Sequence, residues 1–259
     1  MGDILIKIGD YVTRKTYHND IIFKVVAMQG DNCFLDGVNI RLSADSPLED
    51  LVLYDKDVHF DNFNVELDEY ETLDRHEYFY LPGIVLHIDG DEEFLNKCMD
   101  FYHKHKIKAY GIYSLESDLP FHICEYLEKY NPDILVITGH DSMYKRKRRG
   151  GNYKNTDNFV NAVHEARKFE KSHEKLLIIA GACQSNYEEL IKAGANFASS
   201  PKRINIHALD PAIVASSLSF SDKNRDIDLI HILEKTKYGA GGMGGIITKG
   251  TMYIGYPRE

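Results

Sequence analysis

The sequence predicts an α/β fold: a parallel sheet with helices on both faces over residues 83–259. A small SH3-like β-barrel over residues 1–55 precedes it, and an acidic linker over 56–82 joins the two. Three observations predict this. From Gly83 onward, short apolar runs alternate with stretches of helical period, as in parallel strands joined by helices. The clearest runs, ILVIT and LLIIA, are apolar along their length rather than alternating, as burial on both sheet faces requires. Before position 55 the segments are short, partly alternating and broken by Gly, Asp and Asn, which is the pattern of a small all-β module.

Within the first part, IKIGDYVTR, DIIFKVVAMQGD and NCFLDG read as strands, and residues 41–47 close the module with Pro47 as punctuation. Such modules bind peptides or hold a neighbouring domain in place. The linker DKDVHFDNFNVELDEYETLDRHEYFYLP has no clean period; residues 66–77 suit a short helix, and Phe60, Phe63, Tyr78 and Phe79 suit packing on the next domain. In the second part strands are expected at 84–88, 109–113, 133–138 and 176–180, with further short ones at 195–198 and 204–206. Helices are expected at 92–104, 120–130, 156–169, 185–193, 211–218 and 227–237. The glycine-rich tail after Tyr238 reads as a flexible loop leading to a hairpin of 246–248 with 252–256. It lacks GxxxxGK[ST] and a preceding strand, so it is no phosphate loop.

Composition excludes several function classes. A formal charge of −9 over 259 residues argues against a nucleic-acid binder. No apolar run approaches the roughly 18 residues of a membrane span, and the first residues do not form a secretory signal. Gly2 hints at myristoylation, but Ile6 stands where that motif needs Ser or Thr. Cys33, Cys98, Cys124 and Cys183 form no CxxC pair, so free thiols in a reducing cytoplasm are expected, with no zinc site and no cofactor.

Ligands of such sheets bind beyond the carboxyl ends of the strands. One strand is followed there by Gly139-His140-Asp141 and a later one by Gly181-Ala182-Cys183. If those strands are neighbours, about 4.8 Å apart, His140 and Cys183 emerge together. Ser185 with Glu188 reads as a capping box and Gly194 as a helix stop, which sets Cys183 ahead of a helix N-terminus expected to lower its thiol pKa. A Cys–His pair performs acyl transfer: the thiolate attacks a carbonyl and the imidazolium protonates the leaving amine. The Cys183 N–H, with that of Asp141, is the expected oxyanion hole. Asp89, Asp91, Asp141 and Asp210 are expected on the same edge as an acidic pocket for a basic side chain. Cys33, Cys98 and Cys124 are expected to be core residues. The run Lys145 to Arg149 is expected in an exposed loop and is a candidate self-cleavage point.

A strand ending in Gly-His and a later one ending in Ala-Cys resembles the caspase-like cysteine peptidases, though Asp141 and Gln184-Ser185 depart from their pattern. The segments RLSADSPLEDL, VLHIDGD, PDILVITGHD, AGACQSNYEELIKAGANFASSP and NIHALDP together resemble the YabG-type sporulation-specific cysteine proteases. That resemblance runs nearly end to end. It implies a caspase/flavodoxin-like fold and an endopeptidase of the mother-cell cytoplasm and spore coat. Its expected substrates are spore coat and cortex-associated proteins, cut after basic residues, chiefly arginine. It implies Cys183 and His140 as catalytic residues, self-processing, and Asp89 or Asp91 as the arginine's partner, by a bidentate pair. The competing expectations are a non-enzymatic coat scaffold whose β module binds peptide, and a phosphate binder at the same edge. The latter needs a Gly-rich turn after the first strand, where IDGDEE offers acid instead.

Overall fold

The computed structural model describes residues 6–58, 60–61, 65–67, 76–148 and 151–257. The first part holds β1 (Tyr11–Arg14), β2 (Phe23–Gln29), β3 (Asn32–Gly37), β4 (Ser43–Pro47) and β5 (Leu51–Leu53) in one antiparallel sheet of order β4-β3-β2-β1-β5. Alternation places Val12, Phe23, Val25, Cys33 and Leu35 on the buried face. Residues 43–47, expected as closing punctuation, form β4 itself and pair with β3 along its length. Pro47 is tolerated because it ends an edge strand.

β6 (Phe79–Leu81) precedes the alternating series. That series runs β7 (Val85–Asp89), α1 (Glu92–Lys104), β8 (Ala109–Tyr113), α2 (Leu119–Tyr130) and β9 (Ile134–Thr138). A hairpin of β10 (Met143–Arg148) and β11 (Gly151–Tyr153) follows, then α3 (Thr156–Phe169), β12 (Leu177–Ala180), α4 (Tyr187–Ala193) and β13 (Phe197–Ser199). The chain ends through α5 (Asp210–Ser219), α6 (Leu229–Glu234), α7 (Gly239–Gly242), β14 (Met243–Gly245) and β15 (Tyr253–Gly255).

The central sheet has order β14-β13-β12-β9-β7-β8, parallel throughout except for β14. Every residue of β7, β9 and β12 is buried, and successive side chains serve opposite faces. Leu86, Ile88, Leu135, Ile137 and Ile178 pack under α2, α3 and α4. Val85, Val136, Leu177 and Ile179 pack under α1 and α5, and that same cluster continues into Val12, Phe23 and Leu35 of the first sheet. The β module is thus joined to one face of the α/β part by a continuous apolar core. No described helix is long and apolar enough to cross a membrane.

Four expectations are corrected. Residues 204–206 form no strand, though the neighbouring His207 bridges Ile40. The tail is no hairpin: β14 adds to the central sheet beside β13, and β15 pairs with β6. The run expected as a flexible glycine loop is α7 and β14, because close packing asks for small residues there. A Cβ on Gly244 would lie 3.0 Å from Tyr187, and one on Gly245 would lie 2.6 Å from Phe197. The basic run lies largely in the β10–β11 hairpin rather than an irregular loop; Arg149 falls outside the described residues. The linker helix expected at 66–77 also falls largely outside them, as does Phe63. Phe60 packs as expected, with Lys97 Nζ 3.7 Å from its ring centroid and the Phe94 ring 6.4 Å away.

Candidate active site

β7 has β8 on one side and β9 on the other, so the strand order reverses at β7. The crevice at such a switch point is where α/β sheets bind ligands. Here it is filled by the chain's own Arg41, which enters from the turn between β3 and β4 and is wholly buried. Its Nη1 donates to Asp89 Oδ1 at 2.9 Å and its Nη2 lies 2.7 Å from Asp89 Oδ2, a bidentate fork. Nε and Nη2 also donate to the Ala208 carbonyl at 3.2 and 3.0 Å. The guanidinium carbon stands 5.1 Å from the Phe94 ring centroid, and Nη2 lies 3.7 Å from Cys98 Sγ. Burial opposes ionisation of Asp89, but the guanidinium outweighs it and holds the carboxylate well below its usual range. The same pairing raises Arg41 further, against burial.

The Arg41 backbone is held as closely as its side chain. Its carbonyl accepts the Cys183 N–H at 3.2 Å and the Asp141 N–H at 3.4 Å. These are the two donors expected of an oxyanion hole. On one side of Arg41, Asn39 O accepts the Ala208 N–H at 3.2 Å and Ile40 bridges His207 antiparallel. On the other, Leu42 bridges Asp141 in parallel and the Ser43 N–H donates to Asp141 O at 3.2 Å. A cavity of about 610 Å³ opens beside Leu42 and Ser43, also lined by Ser142, Met143, Gln184 and Arg203.

The strands that carry the two expected catalytic residues are neighbours: β9 and β12 pair in parallel. His140 is buried, its N–H donating to Glu116 Oε1 at 2.9 Å and its ring 5.3 Å from that of Phe94. Its Nδ1 lies 3.7 Å from Asp91 Oδ2, while its Nε2 has no hydrogen-bond partner among the described residues. Cys183 Sγ accepts the Ile206 N–H at 3.2 Å and lies 3.5 Å from Ile206 O. No hydrogen bond joins His140 to Cys183 among the described residues. The backbone beside each of them meets instead at the Arg41 carbonyl.

The expected activation of the thiol by a helix end is overturned. Helix α4 starts at Tyr187 with Asn186 at its N-cap and no side-chain cap, so Cys183 is not at the helix N-terminus. Ser185 is not a cap; its Oγ accepts the Ala182 N–H at 3.0 Å and donates to Asp141 Oδ2 at 2.7 Å. Full burial pushes the Cys183 thiol up to about 12. The turn around it is tightly built. Gly181 has φ +103, and a Cβ there would lie 2.4 Å from Ser199 Oγ; Gln184 follows with φ 59. Gly194 does close α4 in the left-handed conformation, as expected.

The four aspartates do not form one pocket. Asp89 faces the guanidinium. Asp91 caps α1 through the Phe94 N–H at 2.8 Å and borders His140. Asp141 turns its carboxylate away from the crevice, accepting from Ser142 N, Asn155 N, Thr156 Oγ1 and Ser185 Oγ, while burial raises its pKa. Asp210 accepts the His207 and Lys237 N–H groups, each at 2.8 Å, and burial pushes it up to about 6. Cys98, expected as plain core, also lines the arginine pocket, its thiol pushed up to about 12 by burial. Cys33 is buried and Cys124 half-buried.

Two residues escaped the sequence reading. Arg41 looks like any edge residue of a β module. Glu116 lies against both Gly90 and Gly139, where a Cβ would come within 2.5 Å of its carboxyl group; the two glycines give it room to reach His140. His87, Asp89 and Cys98 offer ligand atoms within 4.8 Å of one another. A metal ion does not fit them, because the Arg41 guanidinium already binds Asp89 and touches Cys98 there.

The profile of the family described as YabG peptidase U57 matches residues 7–75 and 60–257. The sporulation-specific protease YabG of Bacillus subtilis (strain 168) is 40% identical over 287 aligned residues, covering 98% of this chain and 98% of its own. With matches of that extent, the chain belongs to the YabG peptidase family, U57, and is a sporulation protease.

Proposed function

We propose that this peptidase is a cysteine endopeptidase with a caspase-like α/β domain that cuts after arginine. Its substrates are spore coat and cortex-associated proteins, processed from the mother cell during sporulation. The observation that supports this reading is the way Arg41 is held. A carboxylate grips the guanidinium by a two-point fork, while the N–H groups of Cys183 and of Asp141, next to His140, grip the carbonyl of the same residue. A pocket that takes an arginine side chain and an amide pair that takes its carbonyl are the two fixed requirements of cleavage after arginine.

On this reading Asp89 selects arginine, and the planar fork disfavours lysine. Cys183 Sγ bonds to the carbonyl carbon as its proton passes to His140. The negative charge that develops on oxygen is taken by the Cys183 and Asp141 N–H groups. His140 Nε2, which has no hydrogen-bond partner among the described residues, gives the proton to the leaving amine. Water then adds to the thioester, assisted by His140, and releases the new carboxylate and the thiol. Asp91 acts as a positioning residue for the imidazole. Of the aspartates expected as further arginine partners, Asp141 accepts from backbone N–H groups and the Thr156 and Ser185 hydroxyls, and Asp210 from backbone N–H groups.

Cys183→Ala and His140→Ala should each lower cleavage of a peptidyl-arginine substrate on the order of 10³-fold or more. Their thermal unfolding should stay that of a folded protein. Full activity in either variant sinks the assignment. A substrate panel with arginine, lysine and glutamine before the cut should show arginine strongly preferred.

A further inference from the structure

Resting on that reading, we propose that the Arg41–Leu42 bond is the enzyme's own first substrate. It is bound in cis across the catalytic centre, and it blocks the arginine pocket until it is cut.

Residues 39–43 lie in the crevice as a bound peptide would. Backbone pairing with 207–208 holds the stretch before the bond, and pairing with Asp141 holds the stretch after it. These contacts are independent of sequence. The side chains of Asn39 and Ser43 are held outside the crevice, by Asp61 N and by Asp36 and Lys154. The contact that reads sequence inside it is at Arg41, whose side chain meets Asp89, Ala208 O, Cys98 and Phe94. A structural arginine needs its side chain held. It does not need its carbonyl aimed at two N–H donors, one of them on the residue that carries the nucleophile. Arg41 has both. The cavity beside Leu42 and Ser43 gives the leaving side room to move. The basic run is the rival site; Arg41 is preferred because its carbonyl is already in place.

The step balances as a hydrolysis. Cys183 Sγ bonds to the Arg41 carbonyl carbon as the thiol proton moves to His140. The C–N bond to Leu42 breaks, and His140 returns that proton to the Leu42 nitrogen. Water hydrolyses the thioester, leaving an Arg41 carboxylate and a free thiol. The new amino terminus stays anchored, because β4 begins at Ser43 and pairs with β3. Residues 38–41 become a free tail on β3 and can withdraw, opening the pocket to an arginine from another protein. The thiol is protonated and enclosed while the segment is in place, which suits a slow, single event.

The test uses the full-length protein as wild type, Cys183→Ala, Arg41→Ala and Arg41→Lys, followed by intact mass and amino-terminal sequencing. A peptidyl-arginine reporter is assayed in parallel. Wild type should yield two fragments, 1–41 and 42–259, that copurify, with Leu42 as the new terminus. The rate should not change on dilution. Cys183→Ala should remain whole, and Arg41→Ala should lose this cut entirely. Arg41→Lys keeps a cation beside Asp89, so it guards against misfolding; its cut should stay at the same bond and slow by about tenfold or more. An intact Arg41–Leu42 bond in a preparation that hydrolyses the reporter overturns this inference alone. So does a new terminus elsewhere, a rate that falls on dilution, or an unchanged rate in Arg41→Lys. A wild type that never cleaves the reporter, cut or uncut, overturns the arginine-protease reading beneath it.

Discussion

The α/β part holds the half-buried Arg167 and the buried Arg41 in opposite ways. Arg167, in the last turn of α3, is tied to backbone carbonyls: Gly194 at 2.8 Å, Leu176 at 3.0 Å, Glu170 at 3.2 Å and Ser172 at 3.3 Å. Asn196 Oδ1 completes the set at 2.6 Å. No carboxylate binds it directly among the described residues, and burial brings it down to about 10. Arg41 has one carboxylate and one carbonyl, from segments far away in sequence, and is pushed further up by its partner. Every partner of Arg167 lies within the stretch 170–196. Arg41 instead sits in a pocket built wholly by the other part of the protein, from Asp89, Phe94, Cys98 and Ala208. The first arginine is part of its own scaffold. The second is held as a ligand is held, which is what the proposed cleavage after arginine requires of its pocket.

The largest expected effect breaks the ligand-like site. Asp89→Asn removes the carboxylate that faces Arg41 at hydrogen-bond distance, the one charge to do so among the described residues. Cleavage after arginine should fall on the order of 10³-fold, while any residual cleavage loses its preference for arginine over glutamine. Stability should fall by about 3–5 kcal/mol, because Arg41 is left buried and unpaired. The pair also sets a pH response. Asp89 is held below its ordinary value of 3.8, so the stability it contributes is present above that pH and is lost as pH falls below it. In the uncut Cys183→Ala protein, thermal melts with and without Asp89→Asn should therefore converge in acid. A constant gap down to the lowest pH at which the protein stays folded would refute the linkage.

Arg167→Ala strikes the scaffold-like arginine. It strands several carbonyls and the Asn196 amide oxygen, which also accepts the Ile178 N–H of β12. A loss of about 2–4 kcal/mol is expected, since each hydrogen bond to a charged group contributes roughly 1.5–3 kcal/mol and the carbonyls regain some partners from water. Preference for arginine should be unchanged, because no atom of that site reaches the crevice. A variant that kept its stability but lost arginine preference would erase the distinction between the two sites.

The comparison also explains what the sequence could and could not tell. Buried parallel strands carry their own signal, so β8, α1 and α3 fall on the expected bounds. Alternation left the adjacency of β9 and β12 open, since the consecutive strands β8 and β9 are not neighbours; the pairing itself supplies it. Register between neighbours then brings His140 and Cys183 to one edge. The environment of Cys183 was not legible. Ile206 lies against its thiol and the Arg41 carbonyl against its N–H, and nothing local to the turn GAC announces either distant segment. The same long range hid Arg41, whose neighbours Ile40 and Leu42 alternate with it as in any strand. Ser185 departs from the expected capping box for a related reason. Its hydroxyl has a tertiary partner, Asp141, which displaces the local cap that its spacing with Glu188 suggests.

Thiol reactivity sharpens the ligand analogy further. With residues 39–43 seated, Cys183 is enclosed and pushed up to about 12, whereas Cys124 is only half-buried. Alkylation of uncut protein should label Cys124 first and Cys183 last or not at all. After the Arg41–Leu42 bond is cut, Cys183 should become the faster of the two, and a peptidyl-arginine electrophile should label it alone. Rapid labelling of Cys183 in uncut protein would show that the segment does not shield it.

The smallest expected effect separates orientation from recognition within the site. Asp91 sits two residues beyond the arginine-binding Asp89, and its N–H donates to Asp89 Oδ1 at 3.0 Å. Its own carboxylate has different duties: it accepts the Phe94 N–H at the start of α1 and lies 3.7 Å from His140 Nδ1. Asp91→Asn keeps an acceptor that serves as well at an N-cap, so α1 and stability should be preserved. What is lost is the charge beside the imidazole. A drop in kcat of about tenfold, with KM for an arginine substrate little changed, is the expected split for a group that steadies the proton carrier without touching the substrate. A rise in KM with kcat intact would move Asp91 into the arginine pocket beside Asp89. The division of labour between those two carboxylates would then have to be redrawn.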